Sequence, residues 1–157
     1  MKNHKPDSVA LFSGFKPLML ITITVLAISG FGQMPIFKRY YIADIPGLAF
    51  LARFYITHFL HYLSAIVFLL LSAYAATFYL LAHRKKFQLT ISARIKVFWY
   101  TLILVSGIFL IIRNLPGIYQ PHALIAFMDL THMGAVVLLG VTALIAKLKS
   151  PHWVQAR

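Results

Sequence analysis

Residues 53–82 read RFYITHFLHYLSAIVFLLLSAYAATFYLLA. A helix crosses a bilayer with about 20 mostly apolar residues, and this run exceeds that length while carrying His58 and His61 close to its beginning. A second apolar run, DLTHMGAVVLLGVTALIA at residues 129–146, carries His132. An imidazole in hydrocarbon is costly unless it finds a partner, so these three histidines mark the candidate site. The rest of the chain reads as the frame that presents them.

Composition sets the class. Of 157 residues, 61% are hydrophobic and 11% charged, where soluble domains have about 45–50% and about 25%. The mean hydropathy is +0.81. This is the composition of a membrane protein. Fifteen Lys and Arg stand against three acidic residues, a net charge of +12. In so apolar a chain that balance records topology and contact with anionic lipid head groups, not nucleic-acid binding. The chain has no cysteine, which excludes a disulfide, an iron–sulfur cluster held by this chain and covalent c-type haem attachment. Histidine is the strong transition-metal ligand that remains in quantity.

Four apolar runs predict an all-α, four-transmembrane-helix bundle in a single membrane domain, with helices at about 17–36, 48–82, 93–112 and 122–146. The first run, Pro17 to Ile36, is too long for a signal-peptide core, and no small-residue cleavage site stands out after it, so it reads as a retained helix. Lys2, Lys5, Lys16, Arg84, Lys85, Lys86, Arg94, Lys96, Lys147, Lys149 and Arg157 collect on one side of the predicted spans. Lys38, Arg39, Arg53 and Arg113 fall on the other. The positive-inside rule then predicts cytoplasmic termini and outward loops at Pro46 and Pro116. Tyr40, Tyr41, Tyr55, Tyr119, Trp99 and Trp153 lie near span ends, where amphipathic rings prefer to sit.

The chain also repeats itself. Ile28-Ser29-Gly30-Phe31 answers Val105-Ser106-Gly107-Ile108, and Ile45-Pro46-Gly47-Leu48 answers Leu115-Pro116-Gly117-Ile118. Two helix pairs of parallel orientation follow. At about 1.5 Å per residue, the similar spacing from Gly47 to His61 and from Gly117 to His132 predicts that these two histidines lie at nearly one level. A second register pairs Thr57-His58 with Thr131-His132, which keeps His58 as an alternative to His61.

Haem iron takes axial imidazole nitrogens, and two helices can bring one from each side of a porphyrin. His132 with His61 or His58 is therefore the candidate metal-ligating pair. Gly134 and Gly140, beside His132, would let a flat macrocycle approach the backbone, although small residues also serve ordinary helix packing. The competing structural role is an interhelical hydrogen bond to Ser64, Thr57 or Thr131. Arg53 and Arg113 are candidate partners for the haem propionates. Asp129, one turn before His132, has three candidate roles: orienting the imidazole, taking up a quinone proton, or pairing with Arg113 or Arg53. His83 reads as a solvated interfacial residue, His4 and His152 as tail residues, and His122 as a cap or surface group.

The segment Arg53 to Phe68, centred on His61-Tyr62-Leu63-Ser64-Ala65-Ile66-Val67-Phe68, resembles the second helix of bacterial di-haem cytochrome b subunits. These anchor nickel–iron hydrogenases, formate dehydrogenases and thiosulfate reductases, in a superfamily that includes the prokaryotic cytochromes b561. The Ser-Gly pairs of helices one and three are similar as well. The resemblance implies a four-helix core in the bacterial inner membrane that binds haem b and passes electrons between a partner subunit and the quinone pool. It also implies His61 and His132 as axial ligands of one haem. The family places a further histidine in helix one, and another in helix four fourteen residues beyond the first, where this chain has Ala146. The implied count is therefore one haem.

The sequence thus predicts a multi-pass electron-transfer subunit of an oxidoreductase complex. Its partners would be membrane lipids, a periplasmic-side redox subunit and, as a further candidate, a second copy of itself. The loops are too short for a catalytic domain of their own. The rival from another class is a cofactor-free anchor or scaffold subunit. A small transporter is disfavoured by the lack of a polar stripe through the spans.

Overall fold

The structure, a computed structural model, describes residues 11–34, 44–47, 49–149 and 153–156. Of the positions discussed above, Lys2, His4, Lys5, Ile36, Lys38, Arg39, Tyr40, Tyr41, Leu48, His152 and Arg157 lie outside the described residues. The chain is 79% helical. Its main elements are α1 (Phe15–Gln33), α2 (Phe54–Phe78), α3 (Ile91–Ile112) and α4 (His122–Lys149). All four are long and apolar enough to cross a membrane, with mean hydropathies from 1.7 to 2.2 over their most apolar windows. Large apolar side chains stand outward along them, among them Leu20, Leu70 and Leu130, each 66% exposed. In water such surfaces would drive aggregation, whereas lipid chains satisfy them. The protein is a multi-pass membrane protein.

By its internal contacts the chain divides into two compact units, Met1–Arg84 and Lys85–Arg157, where the sequence reads as one membrane domain. The first unit is the antiparallel hairpin of α1 and α2. Near its loop end, a Cβ placed on Gly32 would come within 3.0 Å of Thr57 Cγ2. At its other end, Phe12 and Phe15 pack on Tyr74 with ring centroids 5.7 and 6.1 Å apart. α2 starts later than expected. A 3₁₀ turn at Ala49–Ala52 precedes it, and Arg53 is extended (φ −82°, ψ 98°), so the helix begins only at Phe54. It ends in a π turn, Tyr79–His83, closed by the Arg84 N–H donating to the Tyr79 carbonyl at 2.8 Å.

The second unit is the antiparallel hairpin of α3 and α4, fastened at one end by a short ribbon. β1 (Phe87–Leu89) pairs antiparallel with β2 (Val154–Ala156). Thr90 caps α3, its hydroxyl accepting from the Ala93 N–H at 3.2 Å, and its own N–H donates to the Trp153 carbonyl at 3.1 Å.

Each hairpin turns through a Pro-Gly pair whose glycine is left-handed, Gly47 at φ 88° and Gly117 at φ 80°. A left-handed L-residue costs about 1–2 kcal/mol. Gly47→Ala and Gly117→Ala are each expected to lower stability by about that amount, measured as the shift in thermal unfolding in detergent. No clash contributes, since an added Cβ at either position meets nothing within 4 Å.

Candidate functional site

The two hairpins contain the same polar device. On α1, the Ser29 hydroxyl donates to the Val25 carbonyl at 2.6 Å, and its oxygen lies 3.1 Å from His61 Nδ1. On α3, the Ser106 hydroxyl donates to the Leu102 carbonyl at 2.7 Å, and its oxygen lies 3.0 Å from His132 Nδ1. Both serines are 1% exposed. The residue after each serine makes room for the ring. A Cβ on Gly30 would stand 3.3 Å from His61 Cε1, and a Cβ on Gly107 would stand 3.2 Å from His132 Cε1. Each imidazole thus lies flush against a Ser-Gly step on the facing helix.

The hydrogen count points to one tautomer. A serine has one hydroxyl hydrogen, and in both clasps a backbone carbonyl already takes it, so the serine oxygen accepts and the imidazole Nδ1 donates. For His132 the same conclusion follows independently, because Nδ1 also lies 3.1 Å from the Ile103 carbonyl, which can only accept. The unprotonated nitrogen of the His132 ring is then Nε2, and the matching serine geometry points to the same tautomer for His61. A neutral imidazole held through Nδ1–H is the form that ligates a metal through Nε2.

His61 and His58 stand in different surroundings. One turn before each clasp histidine stands a second polar group tied to the opposite helix or the turn after it. His58 Nδ1 lies 3.1 Å from Gln33 Oε1, and Asp129 Oδ2 accepts from Arg113 Nη1 at 3.0 Å. His58 therefore occupies the place in its hairpin that Asp129 occupies in the other, and His61 is the counterpart of His132. His58 is further engaged by rings on its own helix, stacked on Phe54 at 5.0 Å and tilted against Tyr62 at 4.2 Å between centroids.

Several expectations are revised by these contacts. The hydroxyls that meet the histidines belong to Ser29 and Ser106, not to Thr57 or Thr131. Those threonines donate back to carbonyls of their own helix, Thr57 to Phe54 at 2.9 Å and Thr131 to Phe127 at 2.7 Å, as hydroxyls within helices commonly do. Asp129 makes the ion pair with Arg113, one of the three roles open to it. Arg53 is exposed at the start of α2, where its carbonyl accepts from the Ile56 and Thr57 N–H groups. The close approach is made at Gly30 and Gly107 on the facing helices, whereas an added Cβ at Gly134 or Gly140 meets nothing within 4 Å. His83 packs on Phe78 at 4.9 Å, and His122 is the exposed first residue of α4.

Among the described residues, no group of three or more His, Asp or Glu side chains converges as a metal site. Comparison with protein-family models, curated proteins and solved structures finds no match.

Proposed function

We propose that the protein is a membrane cytochrome b subunit in which His61 and His132 are the axial ligands of one haem b. The observation that carries this reading is the duplicated clasp. Two intramembrane histidines are each held by a buried serine beside a glycine, in the tautomer with an unprotonated Nε2. When bound, haem b supplies one-electron transfer between ferric and ferrous iron. The protein's own part is to hold the imidazoles. Ser29, Ser106 and the Ile103 carbonyl accept from Nδ1–H, which sets ring orientation and raises the basicity of Nε2. Arg53 and Arg113, on the predicted outer side near the level of the histidines, are the cations that would partner the propionates, with Asp129 restraining Arg113.

In this reading both termini and the basic loop at Arg84-Lys85-Lys86 face the cytoplasm of a bacterial inner membrane. The Pro-Gly turns face outward, toward a redox partner subunit on the periplasmic side. Electrons pass between that partner and the quinone pool, and the chain is one subunit of an oxidoreductase complex.

A second reading, a cofactor-free anchor, draws on the same clasps, since a Ser–His contact is also an interhelical hydrogen bond in its own right. A reduced-minus-oxidised difference spectrum of the purified protein separates the two. The cytochrome shows b-type bands; a preparation that stays colourless when haem is supplied leaves the anchor.

A further inference from the structure

The second unit contains a charged cavity that has no part in the proposed haem site. It is an open pocket of about 220 Å³ at the ribbon end of the hairpin, lined by Lys96, Tyr100, Ala143, Ala146, Lys147 and Trp153. Lys96 is only 6% exposed, and its Nζ lies 4.0 Å from the centre of the Trp153 ring, which forms part of the cavity wall. The chain invests structure in this arrangement. Pairing of β2 with β1, and the Thr90 N–H bonded to the Trp153 carbonyl, bring the segment after α4 back over α3 and set the indole on the lysine.

A buried ammonium needs compensation. An aromatic face supplies part of it, but among the described residues no carboxylate lies within ion-pair distance of Lys96 or Lys147. Two lysines and, among the described residues, no carboxylate line one pocket. A group of opposite charge with several acceptor oxygens would complete it, and a phosphate fits both that charge and the volume.

We propose that this cavity is an anion site for a phosphate group, with Lys96 and Lys147 as its cationic ligands and Trp153 as the wall that holds Lys96 in place. The phosphate belongs either to an anionic lipid head group at the membrane surface or to a soluble phosphate compound.

Trp153 reports on its own occupant. With Trp99→Phe as the parent, Trp153 is the sole tryptophan. The full chain is placed in phosphatidylcholine nanodiscs, and bromine-labelled phosphatidylglycerol, bromine-labelled phosphatidylcholine or inorganic phosphate is added. The lipid source gives saturable quenching by the labelled phosphatidylglycerol at far lower mole fraction than by the labelled phosphatidylcholine. The soluble source gives a saturable change in Trp153 emission with inorganic phosphate and no lipid preference.

In either case Lys96→Gln and Lys147→Gln each weaken the response roughly tenfold or more, the size expected for losing a charge-assisted hydrogen bond. Arg94→Gln, an exposed cation in the first turn of α3, leaves it unchanged. Lys147 is exposed on α4, so its variant remains informative should Lys96→Gln fail to fold. Equal quenching by both lipids with no phosphate response overturns the proposal. So does a response that Lys147→Gln leaves intact or that Arg94→Gln diminishes equally, since either is general attraction to a basic surface.

Discussion

His61→Ala and His132→Ala are each expected to reduce the haem retained by the purified protein from about one per chain to nearly none, whereas His58→Ala is expected to retain it. The two clasp histidines stand in equivalent positions, each with Nδ1–H given to a serine on the facing helix. Under the proposed ligation, loss of either removes one of two axial bonds. His58 differs in kind. Its Nδ1 meets Gln33 and its ring lies between Phe54 and Tyr62, so its removal costs a hydrogen bond and ring contacts, about 1 kcal/mol, without touching the iron. Pigment content per polypeptide, read beside thermal unfolding, distinguishes the cases. Loss of haem in His58→Ala with retention in His61→Ala would reverse the assignment.

Gly107→Leu and Gly30→Leu are expected to be the most damaging single changes outside the histidines. A Cβ alone would stand 3.2 or 3.3 Å from the imidazole Cε1, closer than carbon atoms pack comfortably, and the rest of a leucine side chain would have to occupy the space of the ring. The imidazole must swing out and give up its Nδ1–H bond inside a helix pair. Overpacking and the lost buried bond together cost about 3 kcal/mol or more. Ser106→Ala is the informative contrast, because it removes an acceptor without adding volume and leaves His132 its bond to the Ile103 carbonyl. It should cost only about 1 kcal/mol. Thermal unfolding in detergent reads both, and equal loss in the two variants would mean that volume at Gly107 is not what holds the ring.

What could be read in the sequence follows from how each feature is encoded. The four helices are written in long apolar runs, and no tertiary detail was needed to find them. The late start of α2 was hidden because Ala49–Ala52 is as apolar as the helix that follows, and only the extended Arg53 backbone separates them. The repeat was visible as Ser-Gly and Pro-Gly pairs, but its purpose was not. Ser29 and His61 are 32 residues apart, Ser106 and His132 only 26, and the register of one helix on the next depends on turn geometry that hydropathy does not record. Thr57 and Thr131, named with Ser64 as available partners, lie on the histidines' own helices, whereas the hydroxyls that meet the rings come from the facing helices at Ser29 and Ser106. The ribbon was beyond reach, since two three-residue strands carry no alternation long enough to notice. Trp153 consequently read as a surface anchor, although the ribbon sets it against Lys96.

The most direct measurement is the electron paramagnetic resonance spectrum of the oxidised, purified protein. Two imidazoles on one iron give a low-spin ferric signal, lost in both His61→Ala and His132→Ala. A purely high-spin signal, or a low-spin signal that survives His132→Ala, contradicts ligation by this pair.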